Sequence, residues 1–283
     1  MRSSYILFLL SVFVLSSLVS CKKDKLKAPE SSFLVVNNVR VKTKKINPNQ
    51  GSESHNITDM WYYVNGNFKG VFPVGSVMPI VATGNVEITL FAGIKNNGIS
   101  DTRVPYPPYS QITFTLNIEP GKTYTYSPEF TYNSTAFFYY ADDFDGSGSY
   151  FNSDINYNCV VTHNPTKTFG NTGGSYYMTM YDTANVARLI QTSQYFLPNS
   201  GAVIYIEMDY KCNQNLTAGL YAENSTWLPI LNITPTSEWK KIYIQLTNTV
   251  SNSTYANFRF YIEATKEVAN PEIYIDNIKL IYQ

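Results

Sequence analysis

Three runs, 204–210, 242–246 and 258–264, alternate two sets of side chains with period two, and that alternation commits them to β-structure. Ile204, Ile206, Met208 and Tyr210 fall on one side of an extended run, with Tyr205, Glu207 and Asp209 on the other. Ile242, Ile244 and Leu246 oppose Tyr243 and Gln245. Phe258, Phe260, Ile262 and Ala264 oppose Arg259, Tyr261 and Glu263. Successive side chains of a strand point to opposite faces, so each run has a core side and an outer side. Similar runs at 175–181, 186–191, 217–221 and 272–282 make about eight strands over residues 136–283, joined by short turns, the pattern of a jelly roll. Aromatic residues make up 15% of the chain and tyrosine alone contributes 24 residues, a composition suited to pleated, half-buried surfaces. No long amphipathic helix is evident. The fold expected is all-β, with two β-sandwich domains, because the chain exceeds the usual ~100–200 residues of one domain.

The first domain is expected over residues 31–133. An apolar run at residues 33–36 opens it. Trp61-Tyr62-Tyr63-Val64, Asn65-Gly66 and Asn67-Phe68-Lys69-Gly70 then read as a hairpin, because a type I′ turn needs positive φ at both central residues. Ile112, Phe114, Leu116 and Ile118 share one face of a later strand, and Pro120-Gly121 turns the chain. The hairpin resembles those of PEGA and transthyretin-like β-sandwich modules. Between these strands lies a Gly- and Pro-rich stretch carrying Arg103, Tyr106 and Tyr109. It reads either as a protein-facing loop anchored by those three residues or as a strand connection whose tyrosines pack on the sheet.

Ahead of both domains, Arg2 precedes an apolar run that closes at Leu18-Val19-Ser20-Cys21 and gives way to Lys22-Lys23-Asp24-Lys25. The run is too short and too interrupted by serine for a membrane span. It resembles the lipobox of bacterial envelope lipoproteins. That resemblance implies a signal peptide over residues 1–20, a mature N-terminus at Cys21 acylated on its thiol (diacylglycerol, palmitate), and residues 21–30 as a flexible tether. It places the protein at the bacterial outer membrane, facing the periplasm or the cell surface. Each buried acyl methylene contributes ~0.8 kcal/mol, so two or three chains hold firmly.

The second domain, residues 136–283, carries further landmarks. Asp143-Phe144-Asp145 stands at its entry, Gly173-Gly174-Ser175 before a strand, Ser237-Glu238-Trp239-Lys240-Lys241 at another strand entry, and Glu272-Ile273-Tyr274-Ile275-Asp276-Asn277-Ile278 at the close. In this order they resemble carbohydrate-binding and galactose-binding-like jelly rolls. The resemblance implies glycan as a ligand and a structural calcium ion held by Asp145 and Asp276 with help from Asp143. Asp143, Asp145 and Asp154 also echo a calcium loop, but the bidentate glutamate and flanking helices of an EF-hand are missing. The same acids read equally as an exposed turn. Tyr205, Glu207, Tyr243, Gln245, Arg259 and Tyr261 mix flat rings with hydrogen-bonding groups, which is what a sugar needs, and they form the expected ligand-binding face. An ordinary solvent face would look the same. Trp227, in a loop region, is either a rim platform or a cap on the core.

Charge and motif content exclude other classes. Removing residues 1–20 takes away only Arg2 and leaves a net of −1, which argues against nucleic acid as a partner. The basic excess of residues 21–45 sits next to the proposed anchor, where it either touches anionic headgroups or keeps the tether solvated. Cys159 and Cys212 either pair or remain buried thiols. There is no nucleophile elbow, zinc-protease helix, phosphate loop or dinucleotide fingerprint, and only His55 and His163 occur. The reading is a non-catalytic, membrane-anchored lipoprotein that binds glycan through its second domain. The alternatives are a structural or adhesion lipoprotein contacting other envelope proteins, and a hydrolase using strand-borne acids.

Overall fold

The computed structural model describes residues 30–46, 48–146, 149–153, 158–180 and 185–283. The leader and Cys21 lie outside the described residues, as do Asp154 and the side chain of Cys159. The described residues are all-β apart from a 3₁₀ turn and a five-residue helix, α1, Thr247–Ser251.

The N-terminal half contains β1 Ser32–Val36, β2 Arg40–Lys42, β3 Asp59–Val64, β4 Asn67–Pro73, β5 Val77–Ile80, β6 Gly84–Lys95, β7 Arg103–Pro105, β8 Ile112–Ile118, β9 Thr123–Tyr126 and β10 Glu129–Thr131. One sheet runs β4-β3-β6, with both β7 and β8 paired to β6. The facing layer is β5-β1-β9 together with the short β2–β10 pair. Asn65 and Gly66 adopt φ of 49° and 73°, the left-handed pair that lets β3 turn directly into β4. Leu34, Met60, Tyr62, Ile88 and Leu90 fill the space between the layers.

The C-terminal half is the expected jelly roll. Its strands are β11 Phe137–Asp142, β12 Phe151–Ser153, β13 Asn158–Thr162, β14 Ser175–Thr179, β15 Val186–Gln191, β16 Tyr195–Phe196, β17 Ile204–Cys212, β18 Leu216–Ala222, β19 Trp227–Ile233, β20 Thr236–Gln245, β21 Asn257–Thr265 and β22 Ile273–Tyr282. The front sheet runs β13-β14-β22-β17-β20, with β11 also on β22. The back sheet runs β12-β15-β21-β18-β19, with β16 also on β21. The alternating residues of β17, β20 and β21 that were assigned to the core all lie in it, among them Ile206, Ile244, Phe260 and Ile262.

The two halves are joined by more than a linker. Tyr205, Tyr243 and Ile281, on the outer face of the front sheet, belong to the hydrophobic core of the N-terminal half. Tyr106 sits among them, with ring centroids 5.0 Å from Tyr205 and 4.8 Å from Tyr243. At the centre is Glu207, fully buried. Its Oε1 accepts hydrogen bonds from the hydroxyls of Tyr106 and Tyr132, both at 2.8 Å. Its Oε2 lies 3.6 Å from Lys241 Nζ and 3.8 Å from Lys279 Nζ. Lys279 donates to Ser52 O at 2.6 Å and to the Tyr132 hydroxyl at 2.9 Å, and Ser54 donates to Asp209 at 2.7 Å. Asn56 N donates to the Tyr243 hydroxyl at 3.0 Å, and Gln245 N donates to Asn97 Oδ1 at 2.8 Å. A charge taken this far from water is tolerated only when paired and hydrogen-bonded.

Of the two readings of the Pro-rich stretch, the packed strand connection holds: Tyr106 and Tyr109 are both buried in this junction. Arg103 is tied to the buried carboxylate of Asp59. The face carrying Tyr205, Glu207, Tyr243 and Gln245 is covered by the chain's own N-terminal half.

Replacing Glu207 with alanine leaves Lys279 without its ion-pair partner, Lys241 with Asp209 alone and two buried tyrosine hydroxyls without their acceptor, and should cost ~3–5 kcal/mol. Glu207→Gln, which keeps an acceptor for the tyrosine hydroxyls, should cost less. Because the core is shared, urea unfolding followed by tryptophan fluorescence should give one transition that shifts in both variants; two transitions of which only one moves would contradict the shared core. A pH series gives a second test. Burial lowers the Lys279 ammonium from 10.5 to about 7, so between those values the unfolded chain keeps a proton the folded chain has released. Stability should therefore rise with pH across that window. Burial pushes Tyr106, Tyr109 and Tyr132 well above their ordinary 10.0, so above that pH the unfolded chain loses protons the folded chain keeps, and stability should fall. Urea midpoints between pH 7 and 11 should show both limbs, and Lys279→Met should flatten the first.

Candidate functional site

With the front sheet half covered, the open outer face of the jelly roll is that of the back sheet. Four of its strands, β15, β21, β18 and β19, bring outward residues into register. Arg188 stands opposite Glu263, Glu263 opposite Thr217, and Thr217 opposite Asn232, a polar row across the sheet. One step along, Tyr261 stands opposite Gly219, and beyond it Arg259, Tyr221 and Trp227 complete an aromatic row.

The geometry within these rows is specific. A Cβ on Gly219 would stand 2.6 Å from the Tyr261 hydroxyl and 2.5 Å from Leu228 O, so the absence of a side chain there is what lets the Tyr261 ring lie across the sheet. Trp227 meets Tyr261 edge-on at 4.8 Å between centroids and Tyr221 at 4.3 Å, and keeps 39% of its surface exposed. Such pairs contribute ~0.5–1.5 kcal/mol each beyond burial and hold the rings in one orientation. The Arg188 guanidinium lies 4.0 Å above the Trp227 ring, while its Nε donates to Glu263 at 2.8 Å. Thr217 donates to Asn232 Oδ1 at 3.3 Å. Arg259 is half-buried, and its Nε has no hydrogen-bond partner. The result is one solvent-exposed ring, Trp227, supported by Tyr221 and the buried Tyr261 beside a row of donors and acceptors, the two kinds of group that stack on a sugar ring and meet its hydroxyls.

Of the six residues expected to bind ligand, only Arg259 and Tyr261 are here. Tyr205, Glu207, Tyr243 and Gln245 are on the front sheet, in the junction described above. Alternation placed all six on outer faces, but strand order decides which outer faces coincide. Arg188 and Tyr221 were missed, although each alternates with buried neighbours in its own strand. Trp227, read as rim or cap, is the exposed ring of this face.

The three acids expected to hold calcium do line one polar cavity of about 400 Å³, together with Lys45 and Glu53 from the N-terminal half. Asp145 Oδ1 accepts from Gly174 N at 2.6 Å, in a turn where a Cβ on Gly173 would collide with that oxygen. Asp276 accepts from the Ser175 hydroxyl and, at 2.6 Å, from Asn277 N. Burial raises the Asp276 carboxyl to about 7, against the pull of those hydrogen bonds. The landmarks Asp145, Gly174, Ser175 and Asp276 thus interlock with one another. Among the described residues no group of three or more His, Cys, Asp or Glu is arranged as a metal site. Cys212 is a free, buried thiol whose ionisation burial pushes up to about 11.

No family model and no curated protein matches the chain. Solved structures do. A mutant of a family 29 carbohydrate binding module aligns with 52% of this chain and 92% of its own, at 12% identity and a TM-score of 0.38. A second family 29 mutant, complexed with mannohexaose, aligns with 52% of this chain and 92% of its own, at 14% identity and a TM-score of 0.35. An exo-beta-agarase aligns over 49% of this chain but only 24% of its own length, at 10% identity and a TM-score of 0.39. These are distant likenesses between β-sandwiches and say nothing about what this chain binds.

Proposed function

We propose that this chain is a non-catalytic, lipid-anchored glycan-binding protein of a bacterial envelope, and that it takes its ligand on the back sheet of the jelly roll. The observation that carries the reading is the Trp227–Tyr221–Tyr261 cluster flanked by the Arg188, Glu263, Thr217 and Asn232 row. It is built on strands: Trp227 is the ring open to solvent, Tyr221 is half-buried beside it, and the buried Tyr261 props it from beneath, next to paired hydrogen-bonding groups. Turnover would need two suitably placed carboxylates across the scissile bond. Among the described residues this face supplies one, Glu263, and Arg188 holds it.

The anchor part of the reading rests on Leu18-Val19-Ser20-Cys21 and the polar residues after it. With the Pro-Tyr stretch buried, the alternative of a protein-contacting adhesin loses the surface first assigned to it.

The binding test is a screen of neutral and charged polysaccharides against the full chain by affinity electrophoresis. Trp227→Ala should weaken the retained glycan by about tenfold or more, in line with the loss of ~1.4 kcal/mol or more from an anchoring ring. Retention unchanged in both Trp227→Ala and Arg188→Gln would remove this face as the site. For the anchor, intact mass of the mature protein should show Cys21 at the N-terminus carrying acyl chains, and Cys21→Ser should abolish acylation; an unmodified N-terminus would end that part.

A further inference from the structure

The N-terminal half covers only part of the front sheet. At the other end of the same outer face a second row crosses the strands: Tyr177 on β14 stands opposite Tyr274 on β22, and Tyr274 opposite Lys211 on β17. The Tyr177 and Tyr274 rings are stacked on each other, 5.1 Å apart and tilted by 23°, and Tyr274 is buried, so the pair forms a rigid support. Trp239, half-buried on the neighbouring β20, extends it at 6.3 Å from Tyr274, and Phe169 braces Trp239 edge-on at 5.5 Å. A cleft of about 240 Å³ opens beside Tyr274 between Lys211, Asn213, Ser237 and Glu272.

The charge of this site differs from that of the back sheet. There Arg188 is paired with Glu263. Here Lys167 lies 4.2 Å over the face of Tyr177, and neither Lys167 nor Lys211 is within ion-pair distance of a described carboxylate. The one carboxylate lining the cleft, Glu272, faces the Tyr274 hydroxyl. Two unpaired ammonium groups thus border the half-buried Trp239 ring and an open cleft. A sugar carrying carboxylates matches all three features: its ring stacks, its acid groups meet the lysines, and its hydroxyls reach Asn213 and Ser237.

We infer that this end of the front sheet is a second glycan site, selective for uronate-containing chains and independent of the back-sheet platform. The two sites lie on opposite faces of one sandwich, about 10 Å of core apart, so one molecule engages two separate chains.

The test uses the full chain and two probes, an oligogalacturonate and its carboxyl-reduced galactan counterpart. The chain has three tryptophans, Trp61, Trp227 and Trp239, so ¹⁵N-labelled indole signals report which surface is touched. The oligogalacturonate should shift the Trp239 indole, the reduced probe should not, and the effect should weaken as salt rises. Lys211→Gln should require about tenfold more oligogalacturonate for the same shift, with Lys167→Gln acting in the same direction. A Trp239 signal that stays still, or that moves equally with the reduced probe, overturns the inference. So does a response unchanged in Lys211→Gln. If the acidic probe moves Trp227 and not Trp239, the second site is refuted while the back-sheet reading stands.

Discussion

The buried carboxylate of Glu207 is the constraint on which the architecture turns. It holds two tyrosine hydroxyls from the N-terminal half and lies within ion-pair reach of two lysines from the C-terminal half. An isolated carboxylate in such a place would cost far more than a domain's net stability. The members of the cluster therefore support one another, and loss of one weakens the burial of the rest. That condition fixes how the sandwiches meet, because apolar surfaces alone allow sliding, whereas a hydrogen-bonded ion cluster allows one register.

Once that face is committed, the remaining surfaces follow. Each sheet of a sandwich has one face in the core and one outside. The front sheet gives the nearer part of its outer face to the junction, leaving the end that carries Lys211 and Trp239 partly open. The back sheet keeps its whole outer face, and there Gly219 makes room for Tyr261 and Trp227. Rings set on strands in this way are held by cross-strand neighbours and have little freedom to lose on binding.

Period-two alternation in β17, β20 and β21 separated inner from outer residues correctly, and Asn65-Gly66 marked its hairpin, because both signals are local. What lay beyond them was which strand neighbours which. Tyr205, Tyr243 and Tyr261 looked equivalent in the sequence, yet two lie on the front sheet and one on the back. Glu207 resembled a ligand contact because outward acids usually meet water; its partners Tyr106 and Tyr132 lie 101 and 75 residues away, beyond the reach of any local pattern. The acidic entry Asp143-Phe144-Asp145 did come together with Asp276, but its oxygens are used to lock turns. The Pro-rich stretch signalled rigidity correctly and its direction not at all, since proline fixes φ without choosing what the next side chain meets.

The presence of Ile281 in the core of the N-terminal half has a consequence for biogenesis. Ribosomes make the amino-terminal strands first, but the pocket they build is closed by residues near the far end of the sequence. The early half must therefore stay partly open, its apolar interior unsealed, until β22 arrives. Contacts of such long sequence separation are slow to form.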